Sequence, residues 1–237
     1  MIDWHSHILP AMDDGSKDPD ESIAMLEALA AQGVDTVIAT PHFNANDESV
    51  DAFLQRREAS LALLGENARR EDIRVLCGAE VRYDPGISRM EGLERLAVTG
   101  TNRLLLEMPF VGWSEHTVKE LLELANTRGL RIVLAHVERY PALQNSRIHE
   151  ELISNGIHMQ VNASFFERWL TRSKAMRLLA TGYIHYVGSD CHNMTTRPPR
   201  LSGAYALIQK KLGDEFVEQM NKFGYRAIKR KITSMNP

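Results

Sequence analysis

Cysteine, aromatic residues and long apolar runs are all scarce in this sequence of 237 residues. The two cysteines, Cys77 and Cys191, are too few for a disulfide framework, which favours a reducing, cytoplasmic compartment. No apolar run approaches the roughly 18 residues that a membrane-spanning helix needs, and residues 1–5 lack the features of a signal peptide. A net charge of −3 gives no overall attraction for nucleic acid. We therefore expect a soluble cytoplasmic protein without membrane insertion and without a nucleic-acid partner.

Short apolar segments alternate with longer amphipathic ones along the whole chain. The short segments are rich in Val, Ile and Leu at odd and even positions alike, as in strands buried on both faces of a parallel sheet. They lie at 2–5, 34–40, 73–77, 103–106, 131–135, 157–161 and 183–188, and helical patterns lie at 18–32, 47–69, 115–127, 147–154, 166–180 and 204–212. This alternation predicts one α/β domain over residues 1–237, with a closed or nearly closed barrel favoured over an open doubly wound sheet. A basic run at 222–231 is expected to be the solvated face of a helix.

Histidine and carboxylate residues collect where the predicted strands end. Six of the seven strands bring such residues to their carboxyl ends or to the loop just beyond, namely His5, His7, Asp14, His42, Glu80, Glu107, His136, Asp190 and His192. The carboxyl ends of barrel strands share the rim that carries active sites. The other four histidines lie within predicted helices or strands and are expected to be solvated or core residues: His116, His149, His158 and His185.

Such a cluster requires positive charge, because unpaired carboxylates this close would repel one another. Divalent metal ions supply it naturally. Five histidines and four carboxylates exceed the needs of one four-coordinate zinc ion, so we expect two or three ions. Imidazole and carboxylate donors without thiolate favour Mn²⁺, Fe or Zn²⁺. The sequence therefore predicts a metal-dependent phosphoesterase, because paired metals activate water for in-line displacement.

A competing motif joins Cys191 to Arg197, which match the Cys-x5-Arg spacing of cysteine-dependent phosphatases. The interval contains no glycine to relax a tight loop, and Pro198 disfavours helical geometry at Arg197. A loop that leads into a helix and cradles phosphate is therefore not supported. We expect Cys191 to be a small filler residue.

Several short motifs occur together: His5-x-His7, Asp13-Asp14-Gly15, Pro41-His42, Glu80, Glu107, His136-x-Glu138-Arg139-Tyr140 and Ser189-Asp190-x-His192-Asn193. Together they resemble the polymerase-and-histidinol-phosphatase (PHP) superfamily. Within it, the sequence is similar to the bacterial manganese-dependent protein-tyrosine phosphatases of capsule and exopolysaccharide loci, the CpsB/CapC type. Cys191 stands where alanine is usual in this family, a departure that removes no donor.

The resemblance implies a distorted (β/α)7 TIM-like barrel, the PHP fold, with a centre of up to three metal ions. The implied ion sites are His5, His7, Glu80 and Asp190 for the first, Glu80, Glu107 and His136 for the second, and Asp14, His42 and His192 for the third. Arg139 and Arg197 match the phosphate-binding arginines of the family, a role that suits the bidentate guanidinium group.

The implied activity is hydrolysis of phosphotyrosine on a bacterial tyrosine autokinase of exopolysaccharide or capsule synthesis. Metal-activated hydroxide would attack phosphorus without a covalent intermediate. Manganese is the expected ion, with iron or zinc as alternatives. Two other functions stay open: a PHP phosphoesterase acting on a small metabolite such as histidinol phosphate, and a non-catalytic metal-binding module. Complete donors at all the expected positions speak against the second.

Overall fold

Parallel β-strands form the centre of the fold. The computed structural model describes residues 1–68, 72–127, 129–144 and 146–229, and within these ranges every pairing of named strands is parallel. The strands are β1 (Ile2–Ser6), β2 (Thr36–Ala39), β3 (His42–Phe43), β4 (Arg74–Cys77), β5 (Glu80–Arg82), β6 (Arg103–Glu107), β7 (Arg131–Leu134), β8 (His158–Asn162) and β9 (Tyr186–Gly188). They pair in the orders β1-β2-β4 and β3-β5-β6-β7-β8-β9.

The segment after β9 returns to the end of β1. A parallel bridge pairs Ser6 with Cys191. The His7 amide donates to the Cys191 carbonyl at 2.9 Å, and the Asp190 amide donates to the His5 carbonyl at 2.8 Å. The strands thus curl into a distorted barrel. The expected fold class is confirmed, and the open doubly wound sheet is excluded.

Each of the two expected strands at 34–40 and 73–77 is followed by a further short strand that was not predicted. β2 and β3 are separated at Pro41, which has no N–H to donate to a neighbouring strand. β4 and β5 are separated at Gly78, where an added Cβ would lie 3.2 Å from Val98. β3 and β5 then pair with His42 opposite Glu80. The breaks therefore place two of the predicted metal ligands side by side.

Helices connect the strands: α1 (Pro19–Ala30), α2 (Val50–Leu63), α3 (Glu115–Thr127), α4 (Ser146–Ser154), α5 (Ser164–Glu167), α6 (Trp169–Ala180), α7 (Ser202–Leu212) and α8 (Asp214–Ile228). α1 begins as predicted, because the Asp18 side chain accepts from the Glu21 amide at 2.9 Å. The predicted helix at 47–69 is shorter, since α2 ends before a 3₁₀ turn at Gly65–Ala68, and residue 69 lies outside the described residues. The predicted helix at 166–180 divides in two because Arg168 adopts an extended backbone.

The described part of the basic run at 222–231 lies on or directly after the last helix, and its basic residues Lys222, Arg226 and Lys229 are exposed, as expected of a solvated face. α8 begins earlier, at Asp214, and packs one side against β1, where an added Cβ on Gly224 would lie 3.2 Å from Ile2. It thereby covers the amino-terminal end of the barrel, where Trp4 stacks on Tyr186 with ring centroids 3.8 Å apart. Residues 230–237 lie outside the described residues, so a single domain over residues 1–237 stays a prediction.

None of the helices in the described ranges is both long and apolar enough to cross a membrane.

Candidate metal centre

The nine predicted metal ligands meet at the carboxyl-terminal end of the barrel. The Nε2 atoms of His5 and His7 face each other at 3.1 Å. Glu80 Oε2 lies 3.2 Å from the first and 3.3 Å from the second. Asp190 Oδ1 lies 3.6 Å from both. Four donor atoms from β1, β5 and the loop after β9 therefore converge on one point.

Glu80 extends the cluster in two directions. Its Oε1 atom lies 2.9 Å from His136 Nε2, which is also 3.3 Å from Glu107 Oε1. Its Oε2 atom lies 3.0 Å from His42 Nδ1. Glu80 thus joins His42 and His136 to the first group, and His136 in turn lies beside Glu107.

Asp14 forms a further group at the mouth of the site. Its Oδ1 atom lies 3.4 Å from His42 Nε2 and 3.3 Å from His192 Nε2. Donor atoms of His7, Asp14, His42 and His192 all lie within 4.8 Å of one another, and so do those of His42, Glu80 and Glu107. His7 and His42 therefore stand between neighbouring groups, whereas the resemblance implied one ion for each of them.

Two of the converging residues sit on unusual backbone. His136 has φ 30° and Asp190 has φ 53°, in the left-handed region that non-glycine residues rarely adopt. Hydrogen bonds hold both turns: the His136 amide donates to Gln160 Oε1 at 2.7 Å, and the Asp190 amide donates to the His5 carbonyl. Such conformations cost about 1–3 kcal/mol each and persist where the surrounding structure fixes them, as at functional sites.

Oxygen acceptors behind the cluster orient three of the imidazole rings. His7 Nδ1 lies 2.7 Å from Asp13 Oδ2, His5 Nδ1 lies 3.2 Å from Gln160 Oε1, and His192 Nδ1 lies 3.0 Å from the Asp190 carbonyl. With the proton on Nδ1, each ring turns an Nε2 lone pair towards the cluster, which is the arrangement of metal-binding histidines. His192 Nε2 is buried and makes no hydrogen bond within the described ranges, although Asp14 Oδ1 lies 3.3 Å away. The donor set therefore fits divalent metal ions.

The electrostatics of the site also favour the binding of cations. Burial opposes ionisation of Glu80, but the charge on His5 and hydrogen bonds from His136 and His42 hold its pKa well below the usual value. Burial disfavours protonated His7, yet hydrogen bonds to Asp13 and Glu80 raise its pKa to about 10. Burial also disfavours protonated His136, but hydrogen bonds to Glu107 and Glu80 raise its pKa to about 9. The site therefore favours positive charge, and metal ions would displace these protons on binding.

The two predicted phosphate-binding arginines lie at the edge of the cluster. Arg197 Nη2 is 2.8 Å from Asp190 Oδ2, and Arg197 Nη1 is 3.8 Å from Asp14 Oδ2. The Arg139 guanidinium lies 4.5 Å from the centre of the Phe110 ring. Both arginines line the cavity that opens at Asp190.

The cysteine motif has no support from the structure. Cys191 is fully buried, and burial raises the pKa of its thiol well above the usual value, so a reactive thiolate is disfavoured. The turn up to Arg197 is held by Asn193 Oδ1, which accepts from the Thr196 amide at 2.7 Å and the Arg197 amide at 3.1 Å. The next helix, α7, begins only at Ser202. Cys191 is a filler residue, as expected.

Sequence reasoning assigned no role to three supporting residues. Asp3 is buried beneath His5 and accepts from the Ser189 amide at 2.8 Å and from its hydroxyl at 2.5 Å. Asp13 accepts from the His42 amide at 2.8 Å as well as facing His7. Gln160 faces His5 and His136 from β8. The signal for Gln160 is its alternation with Asn162, with apolar Met159 and Val161 between and beside them, since residues two apart share one face.

A parallel barrel with histidines and carboxylates converging on its carboxyl-terminal rim defines a class, the metal-dependent α/β-barrel enzymes. Comparison with known families identifies the group within that class. The family described as "Capsular polysaccharide synthesis, CpsB/CapC" matches residues 1–225. The chain belongs to this family, and the resemblance inferred from the motifs is confirmed.

Individual relatives extend over nearly the whole chain. The tyrosine-protein phosphatase CpsB of Streptococcus pneumoniae is 33% identical over 239 residues, covering 93% of this chain and 94% of the relative. The tyrosine-protein phosphatase YwqE of Bacillus subtilis is 33% identical over 223 residues, covering 91% and 86%. A crystal structure from work on YwqE and CpsB, described as unique metal-dependent tyrosine phosphatases, superposes with a TM-score of 0.83 at 28% identity, covering 97% of this chain and 95% of that chain.

Proposed function

We propose that this protein is a metal-dependent protein-tyrosine phosphatase. The observation that carries the proposal is the single cluster in which Glu80 links His5 and His7 to His136. Membership of the CpsB/CapC family and relatives named tyrosine-protein phosphatases support the same activity. The buried, unreactive Cys191 favours metal-dependent over cysteine-dependent hydrolysis.

The chain supplies the donors, their orientation and the phosphate-binding groups. The nine residues would hold two or three divalent ions: His5, His7, Asp14, His42, Glu80, Glu107, His136, Asp190 and His192. Bound divalent ions supply an activated water and positive charge for in-line displacement at phosphorus. Asp13 and Gln160 keep the imidazole rings in place, and Arg139 and Arg197 would bind phosphate oxygens and offset their negative charge.

An aromatic wall beside Glu107 suits a phenyl phosphate. Phe110 is 44% exposed and lies with Trp113 along a cavity of about 580 Å³ that reaches Glu107. Buried Tyr140 supports both rings, with centroids 5.7 Å and 5.4 Å away. Offset or edge contacts between aromatic rings are favourable by about 0.5–1.5 kcal/mol beyond area burial. The tyrosine ring of a substrate would lie against this wall while its phosphate reaches the metal centre.

Finer features follow the family resemblance and belong to the same proposal. Manganese is the proposed ion, with iron or zinc as alternatives. The proposed substrate is the phosphotyrosine of a bacterial tyrosine autokinase in capsule or exopolysaccharide synthesis, and the proposed compartment is the cytoplasm. Capsular polysaccharide synthesis as the family's description supports this assignment.

Chelation tests the proposal directly. Hydrolysis of p-nitrophenyl phosphate and of a phosphotyrosine peptide should stop after EDTA treatment and dialysis, and added Mn²⁺ should restore it. Cys191→Ala should keep the activity of the parent enzyme, because the thiol is buried and takes no part in the chemistry. Activity that survives EDTA, or that disappears in Cys191→Ala, would contradict the metal mechanism.

The small-metabolite alternative is tested on the same enzyme. We expect a higher kcat/KM for the phosphotyrosine peptide than for histidinol phosphate, because Phe110 and Trp113 would contact a phenyl ring over a larger apolar area than the small, polar imidazole ring of histidinol phosphate. The reverse preference would favour a metabolite phosphoesterase. Metal binding without hydrolysis of any phosphomonoester would favour a non-catalytic module.

A further inference from the structure

A wide basic cavity opens beside the metal centre. It has a volume of about 790 Å³ and is lined by four arginines, Arg139, Arg168, Arg197 and Arg200. Pockets of roughly 300–1,000 Å³ hold ligands of drug size, so this cavity is larger than one phosphoryl group requires. Arg139 and Arg197 are assigned to the reacting phosphate, and Arg168 and Arg200 have no role in that assignment.

Three carboxylate residues also line the cavity, namely Asp190, Glu138 and Glu167. Asp190 pairs with Arg197 at 2.8 Å, and Glu138 Oε1 accepts from the Asn162 amide at 3.2 Å. Glu167 lies against α7, where a Cβ added to Gly203 would clash with its Oε1. Within the described ranges, neither Arg168 nor Arg200 has a carboxylate within 4 Å. Both arginines are exposed residues of the cavity lining, so their positive charges are available to a ligand.

Side-chain hydrogen bonds fix the backbone on which both arginines stand. Gln32 Nε2 donates to the Pro199 carbonyl at 2.9 Å, and Gln32 Oε1 accepts from the Leu201 amide at 2.8 Å, so both neighbours of Arg200 are held. Arg172 Nη2 donates to the Glu167 carbonyl at 2.7 Å, directly before Arg168. A cationic site on fixed backbone binds with a smaller entropy loss than one on a mobile loop.

The surface beside Arg168 is suited to a protein segment. Trp169 and Leu170 follow it directly and are 80% and 77% exposed. Large exposed apolar side chains next to a binding cavity commonly mark contact with a macromolecule. A phosphotyrosine in the metal centre would bring its own neighbouring residues to this side.

We propose that Arg168 and Arg200 form a subsite for an anionic side chain adjacent to the phosphotyrosine of the substrate. The subsite rests on the proposed phosphatase function and specifies its substrate class, a tyrosine-phosphorylated segment with a carboxylate or a second phosphate beside the reacting residue. Guanidinium groups bind both anions bidentately. The two arginines are substrate-positioning residues and take no part in cleavage.

Kinetics on matched peptides test the subsite. Three peptides would share one phosphotyrosine and differ at its neighbours, which are alanine, glutamate or a second phosphotyrosine, and p-nitrophenyl phosphate would report basal turnover. The parent enzyme should prefer the two anionic peptides. Arg168→Ala/Arg200→Ala should lower kcat/KM for them by about 10-fold, mainly through KM, because charge-assisted hydrogen bonds are lost. Turnover of p-nitrophenyl phosphate and of the alanine peptide should be unchanged.

A control separates the subsite from long-range attraction. Lys210→Ala/Lys211→Ala removes the same charge from exposed residues of α7 and should leave the preference intact. A larger loss for the diphosphorylated than for the glutamate peptide would identify phosphate as the bound group, and equal losses would identify either anion. No preference in the parent enzyme, or an equal loss on all three peptides, would overturn the subsite alone. Absence of hydrolysis of every substrate would overturn the phosphatase function and the subsite with it.

Discussion

Two pairs of histidines at opposite ends of the barrel have pKa values shifted in opposite directions. At the carboxyl-terminal end, carboxylate partners overcome burial and raise the pKa of His7 to about 10 and of His136 to about 9. At the amino-terminal end, His158 and His185 stack with ring centroids 4.4 Å apart, and burial lowers their pKa values to about 3 and about 4. His7 and His136 are buried and His158 and His185 are half-buried, so burial, which lowers the pKa of all four, does not decide the outcome alone.

The difference lies in what surrounds each ring. His7 and His136 face Asp13, Glu80 and Glu107, whereas the charged neighbours that depress the pKa of His158 are Arg103 and Arg131. Carboxylates convert buried histidines into a site for cations. Without them, the half-buried His158 and His185 are neutral at neutral pH.

The largest expected effect comes from removing a donor at the carboxyl-terminal end. His136→Ala and Asp190→Ala should each abolish measurable turnover of p-nitrophenyl phosphate, because each substitution removes one of the ligands of the proposed metal ions. Metal content per chain, measured by inductively coupled plasma mass spectrometry, should fall in parallel. His185→Gln changes the same residue type at the other end and should keep parental turnover. Parental kcat/KM in His136→Ala would refute its role.

A smaller effect is expected from residues behind the donors. Asp13→Asn keeps an acceptor for the His7 ring but removes the charge that fixes its protonation. Loss of such a partner costs about 10–100-fold in metal affinity or activity. Calorimetric titration with Mn²⁺ measures this loss as a lower metal affinity of Asp13→Asn relative to the parent enzyme.

Asp35→Asn provides the matched control for that substitution. Asp35 pairs with the amino-terminal ammonium group at 2.8 Å, far from the metal centre at the opposite end of the barrel. It should leave Mn²⁺ affinity unchanged. Equal affinities in Asp13→Asn and the parent enzyme would show that Asp13 does not support the site.

The rule that parallel strands end at one rim was sufficient to locate the converging donors from the sequence. It works because strand direction and register force those ends together, whatever the details of each loop. His42 and Glu80 illustrate this, since both were assigned to the rim although the short strands β3 and β5 were not predicted. The same rule kept His158 and His185 out of the metal centre, and the structure has both of them half-buried at the opposite end of the barrel.

Local backbone departures could not be predicted in the same way. The left-handed turns at His136 and Asp190 arise from contacts with Gln160 and His5, which lie far away in the sequence. The break at Arg168 between α5 and α6 lies inside a continuous helical pattern. The buried side of α8 depends on its packing against Ile2 and Trp4. Tertiary contacts determine each of these features, and periodicity along the chain does not contain them.

His158→Gln is expected to have the smallest effect at neutral pH. Its effect on the free energy of unfolding should appear on acidification, and it distinguishes the histidines at the amino-terminal end from those of the metal centre. Burial, together with His185, Arg131 and Arg103, lowers the pKa of His158 from 6.5 to about 3, so the unfolded chain binds a proton that the folded chain excludes. The stability of the parent protein is therefore complete above pH 6.5 and declines as pH falls towards 3 through this group.

The variant cannot take up that proton, and its side chain can still reach the Tyr186 hydroxyl, which lies 2.9 Å from His158 Nδ1. Urea unfolding at several pH values should show that His158→Gln loses less stability than the parent protein on acidification. His116→Gln, on the exposed surface of α3, should follow the parent profile. A difference between His158→Gln and the parent that stays constant from pH 8 to pH 4 would mean that His158 does not titrate differently on folding. The contrast between the barrel ends would then rest on the carboxylates of the metal centre alone.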